Sequence, residues 1–197
     1  MGQYYKIVNL TKKLVIESNS GLKLMEWNWI GNSTVSFLLS MLEDKWKEDR
    51  IIIVGDYYIE NDDDYFGYNR QDFKQIREPG TYDVFYYGLF DAEKVLGFKE
   101  IKYNDNEVKQ IKKGYFINET DKVFCDISKM PKDRNNWQVS PTILLACGNG
   151  RGGGDYRDCY PHHQHVGSWA GCNISFSKTK PDEKIYIEKV YVFIESE

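Results

Sequence analysis

The sequence lacks most of the features that mark a secreted, membrane-bound or nucleic-acid-binding protein. Its N-terminus, MGQYYKIVNL, has no positively charged stretch followed by a long apolar one, so we expect no signal peptide. No apolar run approaches the roughly 18 residues that a membrane-spanning helix needs. Basic residues form no continuous block, and 26 of them against 30 acidic residues give a net charge of -4, which disfavours binding to nucleic-acid phosphates.

Cysteine is also scarce, with four residues that all lie in the C-terminal half. Without a secretory signal we expect these cysteines to be reduced thiols. The sequence therefore predicts a soluble, cytoplasmic, globular protein. Its 197 residues fit one domain spanning 1–197, and a chain of this length buries about 70% of its unfolded surface without needing disulfides.

The hydrophobic pattern predicts an α+β fold with mostly antiparallel strands and one main helix. Apolar and β-branched runs flank short polar turns in 4–16 and 113–127, which indicates two hairpins. Apolar residues recur at helical spacing across 33–46, and the continuous apolar run 51–54 indicates a buried strand. The remaining predicted elements are strands at 82–87, 142–147 and 185–194, a further strand within 166–176, and short helical segments at 71–77 and 91–97.

Three short matches in the same order suggest an internal duplication, with 1–100 as the first half and 110–197 as the second. The matching segments are VNLTKK (8–13) with INETDK (117–122), Gly-Asn (31–32) with Gly-Asn (148–149), and VGDY (54–57) with VGSW (166–169). Each match is weak alone, and chance similarity between hairpins is the alternative. In two related halves, the Gly-Asn turns would face each other across a pseudo-twofold axis, where a cleft would form.

A glycine-rich segment, GNGRGGGD, occupies 148–155. The segment matches the pattern G-x-G-x-x-G and follows a predicted strand, but no helix comes after it, which excludes a dinucleotide-binding fold. No Lys-Ser or Lys-Thr pair ends the segment, which excludes a P-loop. Its backbone N–H groups and Arg151 could hold a phosphate or carboxylate. The alternative is a tight turn where the backbone passes beneath a neighbouring strand or ring.

All three histidines follow that segment, between two cysteines. Thiolates and imidazoles are zinc ligands, but the spacings Cys-x2-His and His-x6-Cys match no known zinc pattern, and a solvated polar loop is the alternative. A histidine here could instead act as a general base, with Asp155 or Asp158 as the orienting carboxylate. The weak metal-ligand candidates are Cys159, His162, His165 and Cys172.

Several motifs resemble a group of uncharacterised microbial and viral proteins. They are MGQYY (1–5) with a following Val-Asn (8–9), LMEW (24–27), GDY (55–57), GNGRGGGDY (148–156) and GSWA (167–170). The resemblance spans nearly the whole chain and implies no activity. The histidine-rich insert lies outside the pattern of that group, which argues against a metal site.

The leading functional hypothesis is a non-catalytic binding protein without a cofactor. It would hold a small anionic ligand, or a segment of a partner protein, at the glycine-rich loop, with aromatic side chains as apolar walls. The alternatives are a hydrolase of nucleotide-like or phosphorylated compounds, and a protein-interaction module of the immunity or defence-inhibitor type, which the 15 tyrosines suggest. The candidate ligand-binding residues are Asn149, Arg151, Asp155, Asp56, Tyr57 and Trp169.

Overall fold

A computed structural model of the protein describes residues 4–17, 22–56, 88–133, 135–147 and 165–191. Within them one sheet of nine strands runs in the order β4-β2-β1-β3-β8-β5-β6-β9, with β7 also beside β3. The strands are β1 (Tyr5–Asn9), β2 (Leu14–Glu17), β3 (Asp49–Gly55), β4 (Lys99–Ile101), β5 (Tyr115–Asn118), β6 (Val123–Asp126), β7 (Ala146–Cys147), β8 (Asn173–Ser177) and β9 (Ile187–Glu188). The α-helices are α1 (Leu24–Trp27), α2 (Ser33–Glu43) and α3 (Ala92–Val95).

Most neighbouring strands of this sheet are antiparallel. Three of the described pairs are parallel, namely β2–β4, β3–β7 and β6–β9. The prediction of a mixed α+β protein with a mostly antiparallel sheet and few helices is therefore confirmed.

Both predicted hairpins are present, and each turn is organised by an asparagine. The side-chain oxygen of Asn9 accepts a hydrogen bond from the Lys12 N–H at 2.8 Å, and that of Asn118 accepts one from the Asp121 N–H at 3.0 Å. Such a side chain replaces a backbone partner and lets the chain reverse locally. The hairpins form from short-range sequence signals, which is why the sequence predicts them.

Helix α2 begins where the sequence predicts and ends three residues earlier. The Asn32 side chain caps it by accepting a hydrogen bond from the Thr34 N–H at 2.8 Å. At Asp44 the backbone turns to φ -132° and ψ -86°, which ends the helix. The helical spacing of the apolar residues predicts that the helix extends to Trp46. Trp46 instead lies in the following turn, with its side chain buried in the same core.

The continuous apolar run in β3 is explained by burial on both faces of the sheet. Ile51 and Ile53 belong to the larger core, which α2 covers. Ile52 and Val54 belong to a smaller cluster on the other face, together with Leu89, Ala92 and Phe98 around α3. Since successive side chains of a strand point to opposite faces, a strand covered on both faces has no polar alternation.

Two predicted strands are much shorter in the structure. In place of a strand over 142–147, Pro141–Leu145 forms a 3-10 helix, and the strand is confined to β7. The Ser140 hydroxyl accepts a hydrogen bond from the Thr142 N–H at 3.2 Å and so starts that helix, with Pro141 at its first position. The predicted closing strand over 185–194 is described only to residue 191 and includes just β9.

Of the other predictions of local structure, one is confirmed, several lie outside the described residues, and one pair of matched segments differs in structure. The helical turn predicted at 91–97 is confirmed by α3 and a preceding 3-10 helix. The segments 71–77 and 82–87 lie outside the described residues, as does the Gly-Asn pair at 148–149. In the third suggested match, Val54 and Gly55 belong to β3 whereas 166–169 is a turn, so those two segments differ in structure.

Candidate functional site

The parallel pairing of β3 and β7 defines the place where the predicted site residues leave the sheet. Ile53 is opposite Ala146, and Val54 is opposite Cys147. Because parallel strands end at the same edge of a sheet, Asp56 after β3 lies beside the point where the chain enters the glycine-rich segment. Of the six predicted ligand-binding residues, the structure describes Asp56 and Trp169; Tyr57, Asn149, Arg151 and Asp155 lie outside the described residues.

Asp56 is held firmly at that edge. Its backbone N–H donates to the Tyr4 carbonyl at 2.9 Å, and its carboxylate accepts a hydrogen bond from the Tyr4 N–H at 3.1 Å. The side chain is partly exposed. An oriented and partly solvated carboxylate can accept further hydrogen bonds from a hydroxyl or an amine, but it repels a second anion at close range.

The residues that follow the segment 148–164 contact the residues that precede it. The Gly167 N–H donates to the Ile143 carbonyl at 3.1 Å, and the Trp169 N–H donates to the Leu144 carbonyl at 2.7 Å. Gly167 has φ +76°, and a Cβ built there would lie 2.5 Å from the Ala146 carbonyl oxygen. Glycine is therefore required at 167, and both flanks of the segment 148–164 are anchored next to each other.

Trp169 lies in the core. Only 3% of it is exposed, and its ring stacks on Phe116 with centroids 5.6 Å apart and an interplanar angle of 11°. The ring of Tyr191 meets it edge-on at 5.8 Å. The indole thus packs against protein on two sides. The sequence hypothesis instead has Trp169 form one wall of a ligand pocket.

The structure describes two of the four metal-ligand candidates, His165 and Cys172, and their environments differ. His165 meets the ring of Tyr191 edge-on at 5.3 Å. Burial raises the pKa of the Cys172 thiol, which disfavours the thiolate that would bind a metal or act as a nucleophile. Among the described residues no group of three or more His, Cys, Asp or Glu side chains could hold a metal ion; Cys159 and His162 are not part of that set.

A cavity that the sequence hypotheses do not include lies on the outer side of α2. It has a volume of about 910 Å³ and is bounded by α2, the segment 102–113 and Lys178. Its lining contains five lysines and two glutamates above an apolar floor. The signal in the sequence is KYNDNEVKQIKKG (102–114), where lysines alternate with apolar residues, but it does not show which element the segment covers.

Among the described residues, no helix has the length and apolar character that crossing a membrane would require. Comparison of the chain with models of known protein families finds no match. Comparisons with curated proteins and with solved structures find no significant match either.

Proposed function

We propose that the protein is a non-catalytic binding protein whose site lies at the sheet edge where β3 and β7 end. The observation that supports this site is the parallel register of the two strands, with Val54 opposite Cys147. It brings the end of β3, which Asp56 and Tyr57 follow in the chain, beside Cys147, which directly precedes the glycine-rich segment. In open sheets ligands commonly bind beyond the carboxyl ends of neighbouring parallel strands.

The chemistry of the ligand follows from the residues on the two sides. Asn149, Arg151 and the glycine N–H groups are donors and favour a phosphate or carboxylate. Asp56 is an acceptor and favours a hydroxyl or amine. The ligand we propose is a small molecule, or a segment of a partner protein, with an anionic group at one end and a hydrogen-bond donor at the other.

The test compares two substitutions in the proposed site with one outside it. Arg151→Ala removes the guanidinium that would pair with the anion, and Asp56→Asn removes the charge of the acceptor. Lys184→Ala, at an exposed position, is the control for losing a positive charge. Thermal shift and calorimetry with inorganic phosphate, pyrophosphate and ADP measure binding, and phosphate release from ADP measures turnover.

We expect at least one of these probes to raise the melting temperature of the parent protein and of Lys184→Ala, and to have little effect on Arg151→Ala. The proposal fails when no probe binds, or when Arg151→Ala binds as well as the parent. Release of phosphate from ADP would instead favour the hydrolase, with a histidine from 162–165 as base beside Asp155.

We also propose that the chain consists of two related halves about a pseudo-twofold axis. The support begins with the hairpins: Lys13 and Lys122 occupy the same turn position, and both have positive φ, at 57° and 55°. At the sheet edges, the Lys13 carbonyl accepts from the Lys99 N–H and the Lys122 carbonyl accepts from the Ile187 N–H, both at 3.0 Å. The strand pairs that follow have equivalent registers: Leu14 of β2 lies opposite Lys99 of β4, and Val123 of β6 lies opposite Ile187 of β9.

The centre of the sheet adds reciprocal contacts. The Arg50 N–H donates to the Thr11 hydroxyl, and the Asn173 N–H donates to the Thr120 hydroxyl, both at 2.9 Å. Arg50 and Asn173 are themselves opposite each other in the β3–β8 register. A twofold axis between β3 and β8 would exchange these residues, and the sheet order β4-β2-β1-β3 would map onto β9-β6-β5-β8.

A further inference from the structure

The cavity beside α2 is a groove with two long walls, which we call the lysine groove. One wall is the outward face of α2 with Phe37, Ser40 and Glu43, and the other is the segment 102–113. Lys178, which follows β8, closes one end by pairing with Glu43 through both carboxylate oxygens, at 2.6 and 2.7 Å. The groove is therefore built by three parts of the chain.

The two walls are held together by direct contacts within the chain. The rings of Phe37 and Tyr103 stack with centroids 4.5 Å apart and an interplanar angle of 10°. The hydroxyl groups of Tyr103 and Thr34 lie 2.5 Å apart and share a hydrogen bond, and the Ile111 N–H donates to the Ser36 hydroxyl at 3.1 Å. A groove that is held open in this way binds a partner with little loss of its own conformational entropy.

The charge of the groove is opposite to that of the chain. Five lysines and two glutamates give it a net charge of +3, whereas the whole chain has -4. Glu43 is neutralised by Lys178, and the Glu107 carboxylate accepts a hydrogen bond from the Asn104 amide at 2.9 Å. In the part of the chain that the structure describes, no carboxylate pairs with the three lysines at the other side of the groove: Lys109, Lys112 and Lys113.

These lysines are exposed, and one of them is positioned by a glycine. The aliphatic stem of Lys112 passes over Gly31, whose Cβ, if present, would lie 3.1 Å from the Lys112 Cε. A lysine stem can lie against the protein in this way while its ammonium group stays in water. An extended row of positive charge thus borders the apolar floor formed by Phe37, Tyr103, Val108 and Ile111.

We propose that the lysine groove binds an acidic, amphipathic segment of a partner protein. Aspartate and glutamate side chains of that segment would pair with Lys109, Lys112 and Lys113, and its apolar side chains would lie on the floor. A nucleic acid fits less well, because the lining contains no arginine for bidentate phosphate contacts and one face of each floor ring is already used in the Phe37–Tyr103 stack.

The test selects short random displayed peptides on the parent protein and then measures the affinity of the enriched peptides. The groove variant is Lys109→Glu/Lys112→Glu/Lys113→Glu. The control is Lys45→Glu/Lys184→Glu/Lys189→Glu, which makes the same change of charge at exposed lysines outside the groove lining. Circular dichroism and thermal melting establish that both variants fold.

We expect the enriched peptides to carry Asp or Glu between aliphatic or aromatic residues. Their dissociation constants should rise at least about tenfold for the groove variant, rise much less for the control, and increase with ionic strength. The proposal is overturned when no peptide is enriched, when the enriched peptides are neutral or basic, or when they bind the groove variant as tightly as the parent.

Two further measurements address other occupants. A single-stranded oligonucleotide could bind the parent more tightly than the peptides do and fail to bind the groove variant. That result would make the groove a nucleic-acid site and reject the proposal. A parent protein that dimerises in sedimentation while the groove variant stays monomeric would make it a contact between two copies, which also rejects it.

Discussion

The backbone carbonyls of Trp46 and Trp169 make the same contact: each accepts a hydrogen bond from the N–H three residues ahead, at 3.0 and 3.1 Å. Both indoles are buried, with 1% and 3% exposed. Each residue stands just before a central strand, Trp46 before β3 and Trp169 before β8. This repeated contact agrees with the proposal of two related halves and gives Trp169 a packing role.

Replacing Trp169 should therefore destabilise the protein strongly. Trp169→Ala removes a buried ring that stacks on Phe116, and we expect the free energy of unfolding to fall by about 3–5 kcal/mol in urea denaturation. Trp137→Ala is the control, because Trp137 is 47% exposed, and it should cost about 1 kcal/mol or less. Unchanged stability of Trp169→Ala together with weaker binding of phosphate or ADP would instead support a role at the ligand.

Gly114 lies too close to its neighbours to accept a side chain. It has φ +138°, and a Cβ would lie 2.3 Å from the Phe176 ring and 2.9 Å from the Ser177 carbonyl oxygen. We expect Gly114→Ala to lower the free energy of unfolding by more than about 3 kcal/mol, through backbone strain and overpacking. Gly97→Ala isolates the strain alone, since Gly97 has φ +69° with nothing within 4 Å of a Cβ, and should cost about 1–2 kcal/mol. Equal losses in the two variants would contradict this ranking.

The hairpin asparagines should be of similar importance if the halves are related. Asn9 donates its amide hydrogen to Asp49 at 2.8 Å, and Asn118 donates to Asp121 at 2.8 Å; both asparagines are fully buried. Asn9→Ala and Asn118→Ala should each lower the free energy of unfolding by about 1–3 kcal/mol, because each leaves polar groups without partners. Asn106→Ala, at an exposed position, should have almost no effect. A large loss of unfolding free energy at only one hairpin would show that the two turns contribute differently to stability.

The contact between Glu119 and Tyr186 should make stability depend on pH at both ends of the range. Burial raises the pKa of Glu119, but hydrogen bonds from Tyr186, Ser175 and Lys122 outweigh it and lower the pKa below the ordinary 4.5. The contribution of Glu119 is thus present above about pH 4.5 and is lost as pH falls through the lowered pKa. The hydrogen bond to Glu119 raises the pKa of Tyr186, so the contribution of Tyr186 is present below about pH 10 and is lost as pH rises through the raised pKa.

Tyr186→Phe tests this contact, whose oxygen atoms lie 2.6 Å apart. We expect the parent to be more stable than Tyr186→Phe by about 0.5–1 kcal/mol near neutral pH, and the difference to shrink at both extremes. Tyr115→Phe, which removes a tyrosine hydroxyl from another position, is the matched control for the loss of that group. A constant difference for Tyr186→Phe would mean that its hydroxyl makes no contact with an ionised Glu119.

The parts of the fold that the sequence predicts are those formed by short-range signals. The hairpin turns are set by Asn9 and Asn118, and the start of α2 is set by its cap Asn32. The sequence predicts a strand over 142–147, where Pro141–Leu145 forms a 3-10 helix, because a short apolar run has no diagnostic period. Its signal was the pair Ser140-Pro141, a capping residue followed by proline, which indicates the start of a helical turn.

The candidate site and the lysine groove depend on contacts that no local pattern contains. Cys147 lies opposite Val54 because β7 adds to the free edge of β3, and the sequence holds no signal for that parallel pairing. Phe37 and Tyr103 are distant in the chain and form the groove only when the segment 102–113 crosses α2. The hydrophobic pattern identifies buried residues, but the choice of partners is decided by the packing of the whole domain.

Strand β3 has β1 along one side, while β8 and β7 share the other side, β8 near Asp49 and β7 near Val54. Residues 110–197 therefore place two separate strands against β3, and cutting the chain between residues 100 and 110 would expose unpaired backbone on both fragments. Neither fragment should be stable alone, and mixed fragments should regain structure only as a complex. In the duplication that we propose, a chain with one copy of the repeat would need a second copy of itself to cover the same backbone.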